Sequence, residues 1–483
     1  MKTNVQVQSS EAKGLAEVCK DVLIERKWFF IGAIAAAILC LLPTPAGLTQ
    51  EGQYALALLV LVVTCFFTEA IPLPAVALII GSYQVLLGIN RYTDVPATFM
   101  NDAVGFIMGA LMIGSILVKY KIHNKIALFI LRLSGTNVYR VTLGVVTFCA
   151  FSAGFISEHA TATIMLPIGI GIVSLSGGID KAPKMGKLLM LSIAYGCVIG
   201  GVASPSGGAR NALMIGFLND LGISVSYGQW LIMCIPFTIL MIPIVTFWLT
   251  RVFKPEINDL KEAVDTIKRE MAEDGPMTTK GKMALAIFIL VLAAWITMSE
   301  HIGLGNIAIM GAIVAMILGL VDWDYLQQKT MWGVVILYAG AISLGKMLET
   351  TGAALWLAEK LLSVVSSLGI TEGLPLVGAI CAITSFTTNC MADGPTVAVL
   401  GPIFLKVATL ADTSPFAVGI ATSVSSAFAY LLIIGTPANA IVYGSGFLKA
   451  GDYLKAGSVL FLISLVFLVF VFVGVWWKVL GIW

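Results

Sequence analysis

The 483-residue chain is 58% hydrophobic and only 12% charged, about half the charged fraction of a soluble domain. A soluble fold of this length would expose far more apolar surface than water tolerates, so the composition predicts a polytopic integral membrane protein with the lipid bilayer around it. A net charge of +2 with no basic tract leaves no electrostatic footprint for nucleic acid.

Spanning a hydrocarbon core of about 30 Å takes roughly 20 apolar residues in a helix. The first 27 residues are polar and charged, and apolar runs then follow at 28–48, 54–69, 72–88 and 104–118. No small-residue cleavage site follows the first run, which therefore reads as a retained span and not a signal peptide. Next come an irregular region, 140–176, a long broken run, 186–219, and a span at 229–250. The stretch "RVFKPEINDLKEAVDTIKREMAEDGPMTTKGK" (251–282) alternates charges at helical spacing and reads as a solvated amphipathic helix joining two halves. The second half repeats the order: spans at 283–300, 304–320 and 331–347, an irregular region at 372–405, a broken run at 415–445, and a last span at 457–481.

If the irregular regions are re-entrant hairpins, the chain crosses eleven times, five in each half after the extra first helix. An odd number of crossings inverts the second half relative to the first, the plan of many secondary transporters. The segment 119–140 holds Lys119, Lys121, Lys125, Arg132 and Arg140 and no acid. By the positive-inside rule it lies in the cytoplasm, which puts the N-terminus inside and the C-terminus outside a plasma (inner) membrane. Eight cysteines without a CxxC pair and three histidines without a paired arrangement argue against disulfides and catalytic zinc, and no bound cofactor is implied.

Four polar islands interrupt the apolar sequence at matching places: "SEHATAT" (157–163), "SPSGGARN" (204–211), "TTNCMADGPT" (387–396) and "GTPAN" (435–439). Such residues unwind helices at membrane depth, where free backbone groups are tolerated only around a buried or water-filled cavity. Half-helices beside such breaks aim N–H groups inward and make anion sites. Glu69 reads as a helix-end anchor, and Glu349 and Glu359 as solvated outer-face charges.

"FFTEAIPLPAVALIIGSYQVLLG" (66–88), "GFIMGALMIGSILVKYKIHNKIAL" (105–128), "IAYGCVIGG" (193–201) and "IIGTPANAIVYGSG" (433–446) resemble the signature blocks of the divalent anion/sodium symporter (DASS) family of di- and tricarboxylate transporters. The resemblance covers nearly the whole chain after residue 50. It implies an all-α elevator-type transporter, a homodimer, with two inverted repeats, each holding a re-entrant hairpin and a broken helix. The implied parts are 1–53 as the N-terminus and first helix, and 54–250 as the first repeat (scaffold 54–139, transport 140–250). A linker, 251–282, follows, then 283–483 as the second repeat (scaffold 283–371, transport 372–483).

The family's substrate motif is Ser-Asn-Thr at each hairpin tip. In the first half Ser157 matches, but Glu158 stands for Asn and His159 for Thr, with Thr161 following. The first Gly-Thr-Pro-Pro-Asn segment becomes "GGARN", keeping Gly207 and Asn211 and placing Arg210 where a proline is usual. The second keeps Gly435, Thr436, Pro437 and Asn439. Two registers compete at the second tip. Reading forward from Phe386 gives Thr388-Asn389-Cys390, and reading back from Pro402 gives Ala392-Asp393-Gly394. The first is preferred for substrate contact, because Thr388 and Asn389 can donate hydrogen bonds and an ionised Asp393 cannot.

The family's symporters, by the same resemblance, hold sodium in a shell of neutral oxygens at these tips. Glu158 and Arg210 interrupt that shell here; if sodium binds, it sits near Asn389 and Gly435. Arg210 keeps its charge and needs a partner at membrane depth, either Glu158 or a substrate carboxylate. A fixed cation would leave the empty site positive and reluctant to cross, which favours sodium-independent exchange of C4–C5 dicarboxylates such as succinate, malate or 2-oxoglutarate. The alternative is sodium- or proton-coupled symport, with protons carried on Glu158 or Asp393 and His159 adding a pH-dependent donor. An ion channel and an intramembrane enzyme are the rivals from other classes, and no paired catalytic constellation supports the latter.

Overall fold

The computed structural model describes residues 21–273 and 275–483. Every regular element among them is helical: α1 (Lys27–Leu41), α2 (Gln50–Thr68), α3 (Leu73–Leu86), α4 (Asp102–Lys119), α5 (Ile122–Ser134), α6 (Val138–Phe155), α7 (Glu158–Leu175), α8 (Pro183–Gly201), α9 (Ala209–Asp220) and α10 (Tyr227–Val252). The linker forms α11 (Lys261–Glu273). Then come α12 (Thr279–Ile302), α13 (Leu304–Ile317), α14 (Trp332–Thr350), α15 (Ala353–Ser367), α16 (Gly373–Cys390), α17 (Asp393–Leu410), α18 (Pro415–Ser426), α19 (Pro437–Tyr443) and α20 (Ala450–Val466), the last running on to Trp477 with wider π-type turns.

Ten of the described helices are long and apolar enough to cross a membrane, and α1, α3 and α13 are shorter apolar helices. Side chains such as Leu41, Leu86 and Ile317 point outward, each at least three-quarters exposed. In water that would be costly; in a bilayer the lipid tails cover them.

The two halves match element for element. Each has three apolar helices, a short amphipathic helix (α5 or α15), a hairpin, a broken helix and a long final helix. The amphipathic helices lie outside the predicted spans, since 13 and 15 residues are too few to cross. α11 is the expected amphipathic helix, though not a wholly solvated one. Its Ala263, Val264 and Ile267 are buried, and it packs against α5 and α7 beneath the first hairpin.

The hairpin arms α7 and α17 are each 18 residues long and carry an internal proline, Pro167 and Pro402. Two residues turn each tip: Ile156-Ser157 and Met391-Ala392. Ser157 adopts φ 141° and ψ 155°, a backbone region that L-residues seldom occupy and that costs about 1–3 kcal/mol. Its hydroxyl offsets part of that cost by accepting a bond from the Ala160 N–H at 3.3 Å.

The halves secure their hairpins differently. In the first, α6 crosses α8 so closely that any side chain at Gly200 would strike the Ala150 backbone. In the second, hydroxyls and an amide on α16 reach carbonyls of the broken segment. Ser385 donates to Ser425 O at 3.0 Å, Thr388 to Ser426 O at 2.6 Å and Asn389 to Phe428 O at 3.0 Å.

Candidate functional site

Arg210 is the second residue of α9, just past the unwound segment 202–208, and is 1% exposed. Its Nη2 lies 2.7 Å from Glu158 Oε1. Its Nη1 donates to Asp393 Oδ2. Glu158 and Asp393 are the first residues of α7 and α17, so both hairpin tips converge on one guanidinium supplied by the broken helix. Each acid sits in the first turn of its helix, where exposed N–H groups favour negative charge. Beside Glu158, a side chain at Gly201 would collide with the carboxylate. Both carboxylate oxygens of Glu158 and the Nε and Nη2 of Arg210 are buried without a hydrogen-bond partner among the described residues, so beyond its ion contact the pair keeps unused donor and acceptor capacity.

A cavity of about 210 Å³ opens on this cluster. Its lining includes Ser157, Glu158, His159, Gly207, Arg210, Asp393 and Pro437. Across from them stand Phe106 of α4 and Tyr338 of α14, whose hydroxyl packs against Gly394. A second cavity, of about 410 Å³, shares Ser157 and His159 with the first and runs past Ser115, Tyr325 and Lys329, toward the Lys119 end of α4.

The remaining expected residues do not face the cavity. Asn389 is used up by backbone: its Nδ2 donates to Ser385 O and Phe428 O, and its Oδ1 accepts from the Leu431 N–H at 2.8 Å. Thr388 is tied to Ser426, and Thr161 is buried. Cys390, Gly435 and Thr436 do not line either cavity. Asn211 and Asn439 are fully buried staples inside the broken helices. The register at the second tip is therefore a correction: Asp393, not Asn389, occupies the place equivalent to Glu158. The Thr388-Asn389-Cys390 stretch is the last turn of α16 before the tip, and its donors face the carbonyls of Ser426 and Phe428.

Tyr338 and Ser206 are cavity residues the motif reading passed over. Tyr338 is a lone phenol in an otherwise apolar run, a pattern that signals an amphipathic contact. Glu349 also differs from expectation, since its carboxylate is only partly exposed and pairs with Lys406 Nζ at 3.0 Å.

Residues 25–483 match the family described as the sodium:sulfate symporter transmembrane region. The chain belongs to this family. It is a transporter and not an enzyme. It is 27% identical over 449 residues to a sodium-dependent dicarboxylate transporter SdcS of Staphylococcus saprophyticus, covering 86% of this chain and 84% of that one. It is 28% identical over 447 residues to the SdcS of a Staphylococcus aureus strain, covering 86% and 85%. In fold it is similar to the YdaH transporter of Alcanivorax borkumensis, with a TM-score of 0.56 and 14% identity over 95% of this chain and 98% of that one. It is also similar to MtrF of Neisseria gonorrhoeae, with a TM-score of 0.58 and 13% identity over 94% and 95%.

The sodium that the family implies asks for a shell of neutral oxygens. At the first tip a guanidinium and a carboxylate stand in its place. At the second, both donors of the Asn389 amide and one lone pair of its Oδ1 are engaged by backbone. Asn439 Oδ1 is buried without a donor among the described residues, but one oxygen is not a coordination shell. The side chains at the tips do not by themselves make such a shell.

Proposed function

We propose that this protein is a cation-coupled symporter of small dicarboxylates of the succinate, malate or 2-oxoglutarate type. The observation that carries the reading is the convergence of two acids on Arg210. The exchanger expectation assumed a site left positive when empty. With Glu158 and Asp393 both ionised beside one guanidinium, the empty site instead carries a net single negative charge. A dianion entering it needs accompanying positive charge, which is the condition for symport. The dicarboxylate follows from the names of the relatives, and its size class from a small cavity presenting one strong donor group.

In this reading the hairpins and broken helices (140–250 and 372–483) move together as the transport part. They slide past a scaffold made of the remaining helices, in a dimer of the family's kind. The second cavity, toward the Lys119 end, is the cytoplasmic entrance when the N-terminus lies inside. Lys329 at its rim draws anions in.

The test is uptake of labelled succinate into proteoliposomes, with and without internal dicarboxylate and under imposed sodium or pH gradients. Accumulation into vesicles empty of dicarboxylate, driven by a cation gradient, is the expected result. Uptake that requires internal dicarboxylate and ignores both gradients would restore exchange.

A further inference from the structure

We infer that the coupling cation is the proton, taken up by Glu158 and Asp393 as the substrate displaces them from Arg210. This rests on the symport reading and specifies its ion.

The argument is one of charge at close quarters. Glu158, Arg210 and Asp393 together carry one net negative charge when ionised, and all three are at least nine-tenths buried. A dianion added to them brings the cluster to four negative charges around one guanidinium, a net charge of −3. At the effective dielectric of such a site, like charges about 4 Å apart repel strongly. Either the substrate is refused or the acids are neutralised. Sodium is a poor neutraliser here, because the side chains at the tips do not by themselves make its oxygen shell. A proton needs only the carboxylate oxygen.

The geometry also supplies an exchange of partners. Arg210 presents a fork, with Nη1 on Asp393 and Nη2 beside Glu158. A substrate carboxylate matches that fork in bidentate fashion. When it takes a guanidinium N–H from one acid, that acid loses its only strong counter-charge. It binds a proton from the cavity water, becoming a neutral carboxylic acid whose O–H can donate to the substrate. No bond other than O–H forms, and the proton leaves by the reverse step when the substrate departs.

The other groups facing the pair do not provide the missing charge. Tyr338 of α14 stands beside Asp393, and Tyr430 and Cys197 lie within electrostatic reach of Glu158. None of these becomes a cation. His159 shares the hairpin tip and faces both cavities. Among the described residues lining the cavities it is the one other group able to gain positive charge, so its variant serves as a control.

The test is the pH dependence of fumarate affinity in sodium-free detergent solution, since fumarate remains a dianion from mildly acidic to mildly alkaline buffer. Affinity is expected to weaken by roughly tenfold per pH unit for each proton taken up. Glu158→Gln and Asp393→Asn each fix one acid in its neutral form and should flatten that slope, while His159→Gln should leave the slope in place. In parallel, proteoliposomes containing a pH-sensitive dye should acidify inside as fumarate enters without sodium. A flat affinity profile in the parent protein overturns the inference, as does a slope that both acid variants retain or one that His159→Gln alone abolishes. Accumulation driven by sodium without internal acidification overturns the proton but leaves symport standing. No fumarate or succinate transport under any gradient overturns both.

Discussion

Asn211 and Asn439 make the same two hydrogen bonds in the two halves of the molecule. Each donates from Nδ2 to the carbonyl ten residues before it, Gly201 or Ala429, and to the one seven before it, Ser204 or Leu432. The side chain thus closes the unwound segment of each broken helix, satisfying carbonyls that the break exposes at membrane depth. One difference separates them: Asn211 Oδ1 also accepts from Ser423 at 2.9 Å, whereas Asn439 Oδ1 has no donor among the described residues.

Replacing either asparagine with alanine should orphan two buried carbonyls. At about 1–1.5 kcal/mol per lost bond, each variant should be less stable by about 2–3 kcal/mol, and Asn211→Ala by somewhat more than Asn439→Ala. Thermal unfolding in detergent checks this. Equal melting temperatures for both variants and the parent would remove the staple role.

This pairing shows how far the sequence could be read. The spacing of "GGARN" and "GTPAN" exposes the broken helices and their equivalence, and the prolines of α7 and α17 already point to Asp393 as the partner of Glu158. The donor chemistry of Thr388 and Asn389 points the other way, because a sequence does not show that the carbonyls of Ser426 and Phe428 already occupy them. Arg210 demands a partner from sequence alone. That it has two, one from each hairpin, depends on an approach of tips from distant parts of the chain that no local pattern encodes. α5 and α15 escape a search for apolar runs because they are too short to span and alternate polar with apolar residues.

Arg210→Ala should leave two acids facing one another with no cation. Removing one partner from a buried ion pair costs about 3–5 kcal/mol, so the variant should melt earlier and lose succinate binding. Arg210→Lys keeps the charge without the planar fork and should recover stability more than affinity. Isothermal titration and thermal unfolding with succinate separate the two effects. Parent-like binding by Arg210→Ala would exclude the guanidinium from recognition.

Ser157 combines a strained backbone with a capping hydroxyl. Glycine relieves the strain, worth about 1–3 kcal/mol, and gives up only a few tenths of a kcal/mol of capping. Ser157→Gly should therefore be more stable than the parent, yet weaker for substrate, because the lost hydroxyl lines the cavity. Ser157→Ala keeps the strain and loses the cap, and should be less stable by about 1 kcal/mol. Reversal of that order in thermal unfolding would show that the tip backbone is not strained.

Lys406 on α17 pairs with Glu349 on α14 at 3.0 Å, and Lys346 lies 3.6 Å from the same carboxylate. These side chains are about one-quarter to two-fifths exposed, so the pair's contribution to stability is at most about 1 kcal/mol. Its interest lies in its position, since it bridges the hairpin arm assigned to the moving part and a helix assigned to the scaffold. If that arm moves past α14 during each cycle, the pair must break each time, and its strength belongs to the rate and not to substrate affinity. Lys406→Glu should then alter the maximal uptake rate with little change in KM, and the charge-swapped double variant Lys406→Glu, Glu349→Lys should return the rate toward the parent's. A change confined to KM, with no rescue by the swap, would mean that these two helices do not slide past one another.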